Sequence, residues 1–306
     1  MANTNIDRLR AIAVGAAVGD ALGMALEFGP RQPPDNLVRD MQPGRLPTGR
    51  FTDDTEMALA LAESLLTQSP LDPADLAARF VDWPSHDPPD VGVHTRRVLA
   101  GIDEETPWDI SVERVQAQHP DSAGNGSLMR TWPLAIRYAN DLDNLLIDSW
   151  RQSRVTHPHR DCLAACAFVN VAIHQMQRGP DPGTALILAS TLVRMDDELW
   201  HVVETAPYRQ REELANTGWV RHTLESVVWA LTTTDSFEEA VVQAVNLGGD
   251  AETSGSVAGA MAGAYYGLSG IPQRWQDALR GEWPLGSGRI WQVNDFIALA
   301  DRLSDS

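Results

Sequence analysis

The chain has 306 residues, of which 43% are hydrophobic and 22% charged, enough apolar material for one large domain or two ordinary ones. Its 42 acidic residues against 24 basic ones give a formal net charge of -18. That balance argues against nonspecific binding to nucleic acid or to anionic membrane, both of which need basic patches. The polar start and the lack of a long apolar run predict a cytoplasmic chain with no signal peptide and no integral membrane segment.

From Ile6 to Glu27 apolar and small residues recur with helical spacing, with Gly15, Gly19 and Gly23 standing four apart. Asp20 and Glu27 are seven apart and fall on nearly one face. Asp20 reads as a buried capping or hydrogen-bonding acid, or as part of a site. Residues 29–50 carry proline, glycine and arginine without a period, and this long loop between Glu27 and Asp53 reads as a lid. Thr52-Asp53-Asp54-Thr55 then opens a helix running to Leu66. Thr52 or Asp53 with Glu56 makes a possible capping box, but capping does not need so many oxygen-bearing side chains in a row. Hard divalent cations do need them.

Asp72-Pro73 opens the next helix, to Trp83, and Asp90 precedes another helix start, as its cap or as an acid of a site. Residues 103–120 are polar and irregular. The stretch Ala123-Gly124-Asn125-Gly126-Ser127-Leu128-Met129-Arg130 leads into a helix, so Gly124, Asn125 and Gly126 either expose backbone N–H groups to an anion or form a plain loop. Arg96, Arg97 and Arg130 are the candidates for local positive charge. Cys162 and Cys166, the only cysteines, share a helix face poorly suited to a disulfide and supply too few ligands for zinc, so they read as buried thiols. Thr156-His157 stands ahead of the helix from Asp161 to Gln177, where His157 is a pocket hydrogen-bonding residue or a structural one rather than a metal ligand.

Residues 184–206 hold one helix or two short ones. Trp219, ahead of a helix ending near Thr232, packs in the core or stacks on a ligand. The helix from Phe237 to Val245 leads to Gly248-Gly249-Asp250-Ala251-Glu252-Thr253 and a helix with Gly255, Gly259 and Gly263 again four apart. Such stripes let helix backbones approach closely, so the two glycine helices are expected to be buried and to pack on one another. No alternating strand run exceeds four residues, and the predicted fold class is all-α. If the fold joins its ends, Asp53, Asp54, Asp250 and Glu252 bring four negative charges together, which two divalent cations would balance.

The motif order Gly19-Asp20-Ala21-Leu22-Gly23 with Glu27, Thr52-Asp53-Asp54-Thr55, Gly124-Asn125-Gly126 with Met129-Arg130, Thr156-His157, and Gly248-Gly249-Asp250-Ala251-Glu252-Thr253 resembles the ADP-ribosylglycohydrolase family. Within it, the bacterial dinitrogenase reductase-activating glycohydrolases are the nearest likeness, over about Asp7 to Leu303. The resemblance implies one compact multi-helix domain, residues 1–306, with a binuclear site for Mg²⁺ or Mn²⁺ in a central cleft. It implies Thr52, Asp53, Asp54, Asp250, Glu252 and Thr253 as metal ligands, with Glu27 and Asp90 as acid–base groups. It further implies that Gly124, Asn125, Gly126, Met129, His157 and Trp219 line the ADP-ribose pocket. The implied reaction is hydrolysis of the glycosidic bond between ADP-ribose and a modified protein side chain, arginine first, the partner being an ADP-ribosylated protein. A non-catalytic member of the fold, or a hydrolase of serine-linked or O-acetyl conjugates, is the alternative. Two departures stand out: Glu252 where relatives have Asp, and Ser122 where they often have Asp ahead of the Ala-Gly-Asn.

Overall fold

The computed structural model describes residues 2–86, 88 and 90–305. Its helices are α1 (Ala2–Gly23), α2 (Asp53–Thr67), α3 (Pro73–Asp82), α4 (Val93–Leu99), α5 (Trp108–Gln118), α6 (Trp132–Arg137), α7 (Leu142–Arg154) and α8 (Arg160–Met176). They continue as α9 (Pro182–Leu192), α10 (Asp197–Thr205), α11 (Val220–Thr232), α12 (Phe237–Val245), α13 (Ala251–Tyr266), α14 (Gln273–Ala278) and α15 (Val293–Asp305). The strands among the described residues are one antiparallel pair, Gly281–Glu282 with Ile290–Trp291. The all-helical expectation holds.

The two glycine stripes meet. α1 and α13 run antiparallel with Gly15 against Gly259, Gly19 against Gly255 and Gly263 against Ala11. A Cβ added at Gly19 would stand 2.0 Å from the Gly255 carbonyl oxygen, so only glycine permits this approach. Around this pair lie α8, α11 and α12 on the α13 side and α15 on the α1 side. One hydrophobic core runs through all of them, and Gly255, Gly259 and Gly263 are buried. The N-terminal end of α13 and the C-terminal half of α1 therefore lie backbone against backbone.

Two local expectations need correction. Residues 103–120 are not irregular, since α5 occupies Trp108–Gln118. Its apolar stripe is narrow, Val112 and Val115 with Trp108 packed against Val98, and the polar remainder hides it from a composition reading. The region 184–206 takes the second of its two expected forms, two short helices, α9 and α10. The long loop is not a free lid. Its Phe28 N–H donates to Gly249 O at 2.7 Å, Gln32 N–H to Asn246 O at 3.0 Å, and Trp275 Nε1–H to Arg39 O at 2.9 Å. At its far end Phe51 N–H donates to Arg280 O, 3.2 Å. Cys162 and Cys166 are buried free thiols, as expected. Among the described residues, no helix is long and apolar enough to cross a membrane.

Candidate functional site

Asp20 is the brace from which the site is built. Fully buried on α1, its carboxylate accepts from the Thr52 N–H at 3.0 Å, the Thr55 N–H at 3.2 Å and the Thr55 hydroxyl at 2.5 Å. It thereby fixes the first turn of α2, and the hydrogen-bonding reading of Asp20 is the right one. Burial pushes its carboxyl up to about 6 while these hydrogen bonds hold it down. Thr52 caps α2 by accepting from Asp54 N–H at 3.4 Å. The expected capping box fails because Glu56 is taken by a distant partner, the Trp83 indole N–H at 3.0 Å.

With the first turn fixed, Asp53 and Asp54 face a cavity of about 570 Å³. The turn Gly248-Gly249 brings the second acidic cluster to the same place. Both glycines have positive φ, 70° and 62°, and a Cβ on Gly249 would collide with Asn216 O at 1.9 Å. Asn216 clamps this turn, its side-chain N–H donating to Gly248 O at 2.6 Å. Asp250, Glu252 and Thr253 then face the cavity beside Asp53 and Asp54, and the Thr253 hydroxyl reaches Asp54 Oδ2 at 3.4 Å.

The site is short of compensating charge. Asp54 Oδ1 and Glu252 Oε2 are buried with no hydrogen-bond partner. Burial pushes the Asp53, Asp54 and Glu252 carboxyls well above the usual range, and the neighbouring carboxylates push the same way. Glu27 is carried up to about 7 by burial, opposed by Arg45. Arg45 ties Glu27 to Asp90, which its guanidinium meets at 3.5 Å. Asp90 does not cap α4, whose N-cap is Gly92; it faces the cavity. Among the described residues no three of these side chains already enclose a common point at metal-ligating distance. Two buried carboxylate oxygens without partners, set among like charges, are donor chemistry of the kind a hard cation takes.

The opposite wall comes from the Gly124-Asn125-Gly126 loop, Met129 and His157. Asn125 joins the two walls, its side-chain N–H donating to Asp250 Oδ2 at 2.6 Å and to Thr223 at 2.8 Å. Three sequence expectations place residues that do not face the cavity. Thr52 is fully buried behind it as the cap of α2. Trp219 is 39% exposed, neither core nor cavity wall, because as N-cap of α11 its ring turns edge-on to His222 with centroids 4.7 Å apart. Arg130 is fully buried, while Arg96 and Arg97 are exposed, so none of the three lines the cavity. Residues not singled out in advance also line it: Phe28, Val93, His94 and Asn216. Phe28 carried a signal, being an apolar residue beside Glu27 at a break; it is 81% exposed with φ 59°.

The comparisons agree with this geometry. The family description "ADP-ribosylglycohydrolase" matches residues 1–306. An "ADP-ribosylarginine hydrolase Tri1" of Pseudomonas putida (strain GB-1) is 34% identical over 283 residues, 88% of this chain and 73% of the relative. The "ADP-ribosyl-[dinitrogen reductase] glycohydrolase" of Rhodospirillum rubrum is 33% identical over 282 residues, 89% and 90% of the two chains. A solved structure titled "ADP-ribosylglycohydrolase-related protein complex" superposes with a TM-score of 0.79 at 36% identity, covering 99% of each chain. With the motifs, the fold and the acidic cavity all in agreement, the chain belongs to the ADP-ribosylglycohydrolase family.

Proposed function

We propose that the chain is a metal-dependent hydrolase that releases ADP-ribose from a modified arginine side chain of a protein. The observation that carries this reading is the pair of unpartnered buried oxygens, Asp54 Oδ1 and Glu252 Oε2, on a wall that Asp53 and Asp250 share. The arginine linkage follows the printed names of the Tri1 relatives, 34% identical to this chain.

Asp53, Asp54, Asp250, Glu252 and Thr253 would hold two divalent cations, Mg²⁺ or Mn²⁺, whose chemistry when bound is to orient vicinal ribose hydroxyls and acidify a water. Asp20 keeps Asp53 and Asp54 in register by holding the start of α2. Asn125 holds Asp250. Glu27 and Asp90 both face the cavity. One of the two carboxyl groups protonates the departing side chain, and the other takes the proton of the attacking water. The bond to the anomeric carbon breaks ahead of full attack, so the developing positive charge on the sugar gains from the carboxylates around it.

The test is hydrolysis of defined arginine-, serine- and cysteine-linked ADP-ribose substrates with Mg²⁺ or Mn²⁺ added. Release from the arginine conjugate is expected to exceed the others. Equal release from serine conjugates would remove the arginine assignment, and no release from any would remove the enzyme reading.

Glu252 supplies a second expectation. Its arm is one methylene longer than the family's Asp, and Mg²⁺ tolerates imperfect geometry less than Mn²⁺. Glu252→Asp is expected to keep metal binding and raise Mg²⁺-supported over Mn²⁺-supported activity. Glu252→Gln, which loses the charge, should weaken metal binding about tenfold or more by calorimetry. Identical metal titrations for the wild type and both variants would place Glu252 outside the ligand set.

A further inference from the structure

Arg130 is charged, fully buried and absent from the cavity wall, so the reading above leaves it without work. Its guanidinium lies 4.3 Å over the Phe80 ring. It donates to Gln152 Oε1 at 3.2 Å, to Gln152 O at 3.1 Å and to the Thr156 hydroxyl oxygen at 2.8 Å. A guanidinium only donates, so Thr156 Oγ1 accepts from it. The second partner of that oxygen is His157 Nδ1, at 2.7 Å.

A hydroxyl has one proton, and Thr156 is fully buried. If His157 Nδ1 carried a proton, the threonine O–H would face no acceptor among its partners, leaving a buried donor unsatisfied. The arrangement that satisfies every group runs one way: Arg130 donates to Thr156, and Thr156 donates to His157 Nδ1. The proton of the neutral imidazole then sits on Nε2. This nitrogen lies beside the glycine loop, where a Cβ built on Gly126 would stand 3.1 Å from it and one on Gly124 3.4 Å. The glycines leave room there, and His157 lines the cavity.

A second chain steadies the ring. His94 Nε2–H donates to the Thr156 carbonyl at 2.9 Å, so its Nδ1 accepts from the Ser122 hydroxyl, also at 2.9 Å. The two imidazoles sit 4.7 Å apart at 41°. Burial holds His94 below its usual value and His157 well below it, so both rings stay neutral. Ser122, where relatives often have Asp, suits a neutral His94, because it can give the proton that a carboxylate cannot.

We infer that Arg130, through Thr156, is a positioning residue that fixes His157 as its Nε2–H tautomer and so aims a hydrogen-bond donor into the cavity. The donor takes an anionic oxygen of the ligand; on the function proposed above, on which this part rests, that oxygen belongs to a phosphate of ADP-ribose. In this state His157 is neither a base nor a metal ligand, since Nδ1 is occupied and Nε2 carries hydrogen.

The test follows the proton directly. Long-range ¹H–¹⁵N spectra of histidine-labelled protein report which nitrogen of His157 is protonated, and calorimetry in Mg²⁺ buffer gives the ADP-ribose affinity. Arg130→Met endangers the fold, so the near-isosteric Thr156→Val is the working variant and Thr156→Ser the rescue. The wild type is expected to show Nε2–H. Thr156→Val should show a tautomer mixture and about tenfold weaker ADP-ribose binding, the loss of one well-aligned bond to a charged group. Thr156→Ser should restore both. A wild-type Nδ1–H signal, or Thr156→Val with unchanged tautomer or affinity, overturns the inference. A wild type that does not bind ADP-ribose sinks the proposed function instead, and the spectra alone then decide the relay.

Discussion

Asp54→Asn is expected to abolish hydrolysis while raising the stability of the metal-free protein. The two effects have one cause. Asp54 is 1% exposed, one of its oxygens has no partner, and Asp20, Asp53 and Asp250 all oppose its charge. Without a cation the folded chain holds a desolvated, unbalanced carboxylate, and a neutral amide of the same shape removes that uncompensated charge. The same replacement deletes a ligand from the proposed cation site, and that site supplies several kcal/mol of transition-state stabilisation. Turnover should therefore fall by roughly three orders of magnitude or more. Asp53→Ala and Asp250→Ala should likewise lose activity and bound metal while remaining folded. The distinguishing measurement is thermal melting with and without Mn²⁺. Wild type should gain stability on adding the ion, and Asp54→Asn should start higher and gain little. A variant that melts lower than the wild type without metal and still responds to Mn²⁺ would show that the carboxylate is structurally satisfied and the cation reading wrong.

What could be read in advance was what lies contiguous in the chain. Thr52-Asp53-Asp54-Thr55 fills one helix start and Gly248-Gly249-Asp250 one turn, so each displays its chemistry within a few residues. The glycine stripes were legible for the same reason, since one period of four identifies a whole contact face. What failed depended on partners far along the chain. Glu56 looked like half of a capping box until Trp83, 27 residues away, took its carboxylate. Arg130 was a candidate for local positive charge in an acidic chain, but Gln152 and Thr156, from the end of α7 and the turn after it, already claim it. His94 and Asn216 gave no local pattern at all; a lone imidazole and a lone amide gain meaning only from Ser122, Thr156 and the Gly248 carbonyl. Trp219 was misplaced because an aromatic residue at a helix start says nothing about which way the helix is turned.

Gly259→Ala should be among the most damaging small substitutions in the chain, although it adds one methyl group to a residue that helices disfavour. In an isolated helix the change would stabilise by about 1 kcal/mol. Here the new Cβ would sit 2.0 Å from the Gly15 carbonyl oxygen and 2.7 Å from the carbon behind it. Both atoms are backbone, so no rotamer can move aside, and relief requires α1 and α13 to separate along their length. Overpacking of a well-filled core costs about 1–3 kcal/mol and more where the backbone must shift, so a loss of at least about 3 kcal/mol is expected by urea denaturation. The control is Gly183→Ala in the first turn of α9, where the added atom meets only Asp181 Oδ1 at 3.4 Å and the change should be neutral or mildly stabilising. The damage should also reach the site. Asp20 leaves α1 to hold the start of α2, and Asp250 and Glu252 stand at the start of α13, so separating the two helices moves the two acidic clusters apart. Gly259→Ala protein that remains folded is therefore expected to bind Mn²⁺ more weakly than wild type, whereas Gly183→Ala should bind it equally. If Gly259→Ala melts and binds metal like the wild type, the backbone contact between α1 and α13 is not what holds the two acidic clusters together.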